Sequence, residues 1–432
     1  MPTTFRKSFI SCLPYLVICI ITLFYFVSIM QVPFHPDEST QLFNSYDVDT
    51  FFTDPLSMAW EPSIPLTVQM RYRMLDAPLT RYFIGIGRII SGQPAQTVDW
   101  NWSATWSENV NSGALPEQPQ LLTARLSVAW VFPLMLFLFW HILSKNYGNL
   151  AGWIGILFLA GNSLILLHTR RAMAESLTVF FIVLCMWSIF FCKKHPWLLA
   201  IPVAFVFNAK QSTAIWIIVG ILPVLLNFKN YIQHKFLVLK HILLYASIVA
   251  GVFFLINPFT WKHPVQSVHE ALSLRQELVA QQVEDITRVS PQAALNSPLQ
   301  RIVGIVGNLF FTAPAPLDTA NYQVELAEQV NEYLSVPVNS FMRNFPGGSI
   351  LLVFSLTGIY CALRGLIRNQ KREEILLFIA GVLQFILLVL TVPLPFQRYV
   401  IPLIPGTIFF FAIGVSNLIN LFFQFSQLQK LR

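Results

Sequence analysis

What most constrains this chain is the recurrence of apolar runs long enough to cross a bilayer. Residues 9–30 are almost wholly apolar, and a helix of about 20 such residues spans the hydrocarbon core. Comparable runs fall near 121–144, 149–167, 176–192, 197–208, 212–227, 241–257, 347–366, 375–392 and 400–424. Only 11% of the residues are charged, which suits a bilayer and not a large soluble core. The expected fold class is therefore an all-α integral membrane protein of about ten transmembrane helices.

Charge sorts the two sides of the membrane. Arg6 and Lys7 precede the first run, so the N-terminus is expected in the cytoplasm. The first run is too long for a cleavable signal peptide and lacks a small-residue exit, so it reads as a retained span. Lys145, Lys193–Lys194, Lys229 to Lys240 and Arg364 to Arg372 occupy short turns on the same side, as do Lys430 and Arg432 at the C-terminus. Only Glu373 and Glu374 oppose them there. The formal net charge of +7 is thus a property of topology, and nucleic-acid binding is excluded as its explanation. Cys12, Cys19, Cys185, Cys192 and Cys361 lie in or beside the spans and form neither a disulfide framework nor a zinc pattern.

The chain reads as one polytopic domain, 1–432, with two long external segments at 31–120 and 258–346. In the first, Leu79, Phe83, Ile86 and Ile90 recur at helical spacing with Arg81 and Arg88 between them, which predicts a helix in the membrane interface. Arg88 is expected to snorkel to lipid phosphates. Trp100, Trp102 and Trp106 suit interfacial anchors better than a sugar-stacking platform. The second segment carries amphipathic patterns near 265–288 and 320–335, expected to pack on the bundle. The apolar run Ile302 to Phe311, bounded by Pro298 and Pro314, is short for a crossing and predicts a re-entrant or interfacial helix.

The external face holds the chemistry. Pro33-Phe34-His35-Pro36-Asp37-Glu38-Ser39-Thr40 sets two adjacent carboxylates where the first span ends. Three external turns add cations: His168-Thr169-Arg170-Arg171-Ala172-Met173-Ala174-Glu175, Asn208-Ala209-Lys210-Gln211-Ser212 and Pro393-Leu394-Pro395-Phe396-Gln397-Arg398-Tyr399. Ionisable groups near membrane depth are expensive unless paired or working. Lys210, Arg398 and one of Arg170 or Arg171 are expected to hold a phosphate or pyrophosphate, Arg as a fork and Lys as a point charge. Asp37 is the expected general base toward an acceptor hydroxyl or amine, and the cations stabilise the phosphate that leaves. Together these describe sugar transfer from a polyprenyl-phosphate donor, with inversion by single displacement.

These motifs resemble those of the polytopic GT-C glycosyltransferases, in particular the dolichyl-phosphate-mannose protein mannosyltransferases and the bacterial aminoarabinose lipid A transferase. The landmarks are Pro36-Asp37-Glu38, Asp76-Ala77-Pro78-Leu79-Thr80-Arg81-Tyr82, Arg171-Ala172-Met173-Ala174-Glu175-Ser176-Leu177, Ala209-Lys210-Gln211-Ser212-Thr213-Ala214 and Arg398-Tyr399-Val400-Ile401-Pro402-Leu403-Ile404-Pro405. They cover most of 30–220 and the last span, and almost nothing of 258–346. The resemblance implies a GT-C fold, Asp37 as the base with Glu38 beside it, and Lys210, Arg398 and Tyr399 at the donor phosphate. It places His35, Asp76, Arg81 and Glu175 on the acceptor side or in support. Where family members carry His-Pro-Pro-Leu or Lys-Pro-Pro-Leu, this chain has Asp76-Ala77-Pro78-Leu79, an anion for a cation. His35, Asp37, Glu38, Asp76 and Glu175 offer ligands to a divalent metal, but no spacing specifies one.

Expected partners are the polyprenyl-phosphate sugar, membrane lipids, and a lipid, glycan or protein acceptor. The expected setting is a bacterial inner or plasma membrane with the site facing the periplasm or exterior. A flippase or transporter for lipid-linked sugar is the rival from another class; it calls for charge within spans and related halves, and the sequence shows neither. A lipid-linked glycan polymerase or ligase is the nearer rival, without an acidic pair directly after the first span.

Overall fold

The first helix, Thr3–Val27, stops where the backbone runs out of helix-compatible residues. Ser28 turns its hydroxyl back onto the Phe24 carbonyl, a short 3₁₀ turn Ile29–Gln31 follows, and Pro33 and Pro36 bar continuation. The structure, a computed structural model, describes residues 3–223, 235–317, 322–369 and 372–430. Among the described residues it is helical throughout, with no strand.

Among the described residues five segments are long and apolar enough to cross a membrane: Gln118–Tyr147, Phe236–Ile256, Phe345–Gly365, Arg372–Thr391 and Gln397–Gln424. Shorter apolar helices cover Cys12–Val27, Asn149–Ala160, Glu175–Phe191 and Pro196–Ala209. The expected count of ten spans is therefore not reproduced as ten long helices. The run near 149–167 breaks at Gly161, where the Asn162 side chain caps a second helix, Ser163–His168, by accepting from the Leu164 and Ile165 N–H groups. Of the run near 212–227 only a short helix, Ile215–Val219, is seen; its end and much of the Lys229 to Lys240 turn lie outside the described residues.

The main core is a large apolar cluster in which Phe132, Phe139, Leu164 and Phe409 are fully or almost fully buried. Tyr25 stacks on Phe132 with ring centroids 3.8 Å apart and donates its hydroxyl to the Thr169 carbonyl at 2.6 Å. The first helix is thereby keyed to the 168–175 turn. Two of the last three long helices, Phe345–Asn369 and Ile404–Lys430, approach backbone to backbone. A Cβ on Gly358 would run into the Phe410 carbonyl, and one on Gly414 into the Phe354 carbonyl. Small residues permit such close crossings in membranes.

The first external segment folds into short helices, among them Pro36–Asn44, Asp47–Thr53, Val68–Leu75 and Leu79–Ile90. The expected helix over 78–92 is present, but its arginines turn inward. Arg88 is buried against Asp49 and Ser45, so it does not snorkel. Arg81 is buried beside Asp47 at 3.4 Å, which also holds Arg73 at 2.8 Å. Trp100 is likewise no lipid anchor: it is buried among Phe34, Trp106 and Tyr322. In the second segment a 26-residue helix, Pro264–Val289, packs Leu274 against Met74 and Leu75. The run over 302–311 forms the end of a nine-residue helix, Pro298–Val306, and one π turn, Gly307–Phe311. At about 1.5 Å per residue that is too short to cross. The expected pattern near 320–335 appears as Ala327–Ser335, residues 318–321 lying outside the described set.

Because the Ile404–Lys430 helix follows directly from the turn that carries Arg398, the glycine crossing also sets the height of that turn. Gly414→Leu is expected to cost about 1–3 kcal/mol by overpacking and to lower thermal stability in detergent. Gly381→Leu, where an added Cβ meets nothing within 4 Å, is expected to match wild type.

Candidate active site

The acidic pair opens a helix, and its two members face different worlds. His35 is the N-cap: its Nδ1 accepts the Asp37 N–H at 3.1 Å, while Glu38 Oε2 accepts the His35 N–H at 3.0 Å, a reciprocal capping box. With Pro36 in the first helical position and both acids in the first turn, helix dipole and charge agree.

Glu38 is wholly buried. Arg125 grips it in a two-pronged contact, Nε to Oε1 and Nη2 to Oε2, both at 2.8 Å. The Ala172 N–H adds a bond at 2.9 Å. Arg125 also donates through Nη1 to the Ile29 and Val32 carbonyls at 2.9 and 3.0 Å. Burial alone would raise the Glu38 carboxyl, but Arg125, Arg171 and the Ala172 amide together hold it below the usual carboxylate range. The side chain of Asp37 keeps 31% of its surface exposed and takes the Arg398 guanidinium on Oδ2. His35 Nδ1 lies 3.8 Å from the same oxygen.

A second ion pair flanks the first. Lys210 donates to Glu175 Oε1 at 2.6 Å and to the Arg398 carbonyl at 3.3 Å, and its ammonium lies 5.8 Å from the Tyr399 ring centroid. Arg398 in turn lies 5.3 Å from the Phe396 ring centroid. Glu175 is only 3% exposed, so removing Lys210 would strand a buried charge at a cost of about 3–5 kcal/mol. The Asp37–Arg398 pair is open to solvent on the carboxylate side and is screened accordingly.

Arg170 and Arg171 are placed differently from the other cations. Arg170 is buried, and it donates to the Leu166 carbonyl, to Ser28 and to Tyr333 and Asn339 at 2.6 to 3.3 Å. Arg171 donates to the Pro33 and Pro316 carbonyls. Both tie the loops around the site together.

Three contributors escaped the sequence reading. Arg125 sits at the start of a run that reads simply as a span. Asp99 accepts from Thr40 Oγ1 at 2.9 Å, the Trp100 N–H at 2.8 Å and the Tyr72 hydroxyl at 2.5 Å. Thr40 is one turn along from Asp37 on the same helix face. Arg275, from the Pro264–Val289 helix, stands near Asp76. Burial raises the carboxyls of Asp76 and Asp99, and the nearby Asp37 charge adds to both shifts; Arg81, Arg275 and Arg398 oppose the shift at Asp76.

A divalent cation needs several oxygen ligands not already engaged. Here Glu38 gives both oxygens to Arg125, Asp37 and Glu175 each give one to a cation, and His35 spends Nδ1 on a backbone N–H. Among the described residues no group of three or more His, Cys, Asp or Glu is arranged to hold a metal.

No family model and no curated protein matches the sequence. Among solved structures, the archaeal oligosaccharyltransferase AglB from Archaeoglobus fulgidus, in complex with an inhibitory peptide and a dolichol-phosphate, matches with a TM-score of 0.50 at 13% identity. The match covers 98% of this chain and 52% of that one. The crystal structure of the Archaeoglobus fulgidus oligosaccharyltransferase in complex with Zn and sulfate matches with a TM-score of 0.48 at 14% identity, over 94% of this chain and 49% of its own. The chain thus spans about half the length of the solved structures it matches. The likeness to AglB shows the fold alone: this chain shares the fold of about half of that protein.

Two measurements check the electrostatics. Arg125→Ala leaves Glu38 buried without its partner and is expected to destabilise by about 3–5 kcal/mol, whereas Arg288→Ala, which breaks only an exposed pair with Glu284, should leave thermal unfolding unchanged. Asp99 titrates above the ordinary range when folded, so its contribution to stability is full below the unfolded value and is lost as pH rises through the folded one. Asp99→Asn removes that loss. The melting temperature of the variant relative to wild type should therefore climb as pH rises above the unperturbed Asp range; a flat difference would contradict the assignment.

Proposed function

We propose that this protein is a membrane glycosyltransferase that moves a sugar from a polyprenyl-phosphate donor to an acceptor at the extracytoplasmic face, with inversion and with Asp37 as general base. The supporting observation is that Asp37 and Arg398, 361 residues apart, are in contact, with Lys210 bonded to the Arg398 carbonyl. A proton acceptor and two cations suited to phosphate therefore meet at one place, and a donor that parts the Asp37–Arg398 contact has its anomeric carbon between a base and a leaving-group site.

The acceptor oxygen or nitrogen attacks C1 of the sugar, and its proton passes to Asp37. The C1–O bond breaks and its electron pair stays on the phosphate oxygen, so the lipid leaves as polyprenyl phosphate. Arg398 supplies fork contacts to that phosphate and Lys210 a fixed positive field, while Tyr399 lies against the Lys210 ammonium. Interactions that strengthen as charge builds on the leaving group lower the barrier selectively. Glu38 does not exchange protons in this reading; clamped by Arg125, it fixes the helix turn that aims Asp37. Arg170 and Arg171 shape the cleft. Asp76, Arg81 and His35 lie on the acceptor side, where Asp76 replaces the cation of related sequences. The reading places the enzyme among donor-lipid-dependent transferases of the mannosyltransferase and aminoarabinose transferase kind, in a bacterial inner or plasma membrane. The acceptor is a lipid, a glycan or a protein.

The test is transfer of labelled sugar from a panel of polyprenyl-phosphate sugars in proteoliposomes. Asp37→Asn is expected to cut turnover by about 10²–10⁴-fold with an unchanged melting temperature, and Arg398→Ala to weaken use of the donor more than of the acceptor. Near-normal turnover by Asp37→Asn, or donor movement across the bilayer without cleavage, would overturn the proposal.

A further inference from the structure

Residues 100–112 of the first external segment build a polar hollow beside the Pro36–Asn44 helix, and its frame is firmly tied. Asn109, almost wholly buried, donates through Nδ2 to the Asn101 and Thr105 carbonyls at 2.9 and 3.2 Å and accepts the Asn101 N–H on Oδ1 at 2.9 Å. Tyr322, from the second external segment, donates its hydroxyl to the Ala104 carbonyl at 2.8 Å, and its ring packs against Trp100 and Trp106. The stretch is bonded on both flanks to the helix that carries Asp37. Thr40 donates to Asp99 on one side, and the Ser39 hydroxyl donates to the Ala114 carbonyl at 2.6 Å on the other. A ligand held in the hollow is therefore held at a fixed place relative to Asp37.

The hollow is a cavity of about 380 Å³ lined by Asn101, Ser103, Ala104, Glu108, Asn109 and Ser112, within the size range of small-molecule sites. Several of these side chains are exposed and keep hydrogen-bonding capacity. Asn101 spends Oδ1 on the Ser103 N–H and keeps its NH₂ group. Glu108 spends Oε2 on Thr105 and keeps Oε1. The Ser103 hydroxyl makes no bond among the described residues. The Ser112 hydroxyl donates to the Asn109 carbonyl at 3.0 Å and keeps its lone pairs. The Thr105 bonds hold the Glu108 carboxyl below the usual carboxylate range, so it is ionised at neutral pH. Among the lining residues none is a cation, and Ala104 is the one apolar side chain.

We propose that this cavity is a saccharide subsite, and that the acceptor is a glycan with a sugar ring, beyond the reacting one, that rests against Asn101, Ser103 and Glu108. The assignment to an acceptor rests on the glycosyltransferase reading. Sugar hydroxyls both donate and accept, and an amide, two hydroxyls and a carboxylate answer them in kind. A bond from a sugar hydroxyl to an ionised carboxylate is charge-assisted. A phosphate or carboxylate ligand would instead meet Glu108 with no cation to offset it, and a lipid tail would find a single methyl group. The frame is set before the ligand arrives, so binding does not have to order the loop. Since the Trp100 and Trp106 rings are packed into the aromatic cluster, recognition depends on hydrogen bonds and not on stacking.

Saturation-transfer NMR on the full-length protein in nanodiscs tests this, with no sugar donor present. The probes are mannotriose, maltotriose and chitotriose, with triglycine for comparison. Ser103→Phe fills the cavity from an exposed position, and Glu108→Gln removes the charge while keeping the capping box, where Glu and Gln both serve; both are expected to melt as wild type does. At least one trisaccharide is expected to give a wild-type signal that falls several-fold in Ser103→Phe and by a smaller factor in Glu108→Gln. No signal from any trisaccharide, or one that Ser103→Phe leaves unchanged, would overturn the subsite. A triglycine signal that Ser103→Phe abolishes would overturn the saccharide class. The two readings fail separately, because binding is read without transfer. Sugar transfer without a trisaccharide signal would sink the subsite alone. Saccharide binding lost in Ser103→Phe, in a protein that transfers no sugar from any polyprenyl-phosphate donor, would sink the transferase reading and leave a saccharide site.

Discussion

The buried ion pair between Glu38 and Arg125 is the contact on which the rest of the site depends. It joins the start of the Pro36–Asn44 helix to the Gln118–Ala129 helix and, through the Ala172 amide and the Ile29 and Val32 carbonyls, to the 168–175 turn and the end of the first helix. A buried pair is rarely a large net source of stability, but breaking one is costly because the survivor stays buried and charged. That asymmetry makes Glu38–Arg125 a strong geometric constraint. Asp37 is the next residue, so its direction is set by a neighbour that does no proton chemistry.

The site then divides its charges by how freely they can move. Glu38, Arg125, Arg170 and Arg171 are buried and bonded to protein partners, and they act as framework. Glu175 and Lys210 form a nearly buried pair that supplies a fixed field. Asp37 and Arg398 meet at the solvent-facing rim, where a substrate phosphate can compete. Charge near the bilayer is expensive, and these ionic groups either tie loops together or meet at the rim where we propose that a donor phosphate binds.

Much of this was legible in the sequence, and the gaps have physical causes. Hydropathy located the apolar helices, Pro36 before an acidic pair marked a helix start, and the cation-bearing turns around Lys210 and Arg398 do converge on Asp37. What one-dimensional reading cannot see is which way a charged side chain turns. Arg170 and Arg171 sit in a loop and read as available, yet both point inward. Arg88 reads as a snorkelling residue because its acidic partner, Asp49, lies 39 residues away. Arg125 is hidden at the edge of an apolar run, 87 residues from Glu38. Asp99 stands between tryptophans that suggest a membrane interface, and only folding reveals that Trp100 is core. The break in the 149–167 run was hidden for a related reason: Gly161 and Asn162 look harmless inside an apolar run, but Asn162 caps a new helix.

The central claim is that base and leaving-group cations act on opposite sides of one anomeric carbon. The most direct measurement is the anomeric configuration of the transferred sugar, read by NMR from the C1 proton of the product and compared with that of the donor. Single displacement between Asp37 and the Arg398–Lys210 side predicts clean inversion. Retention of configuration would require a covalent intermediate or attack from the phosphate side, and would contradict the arrangement described here.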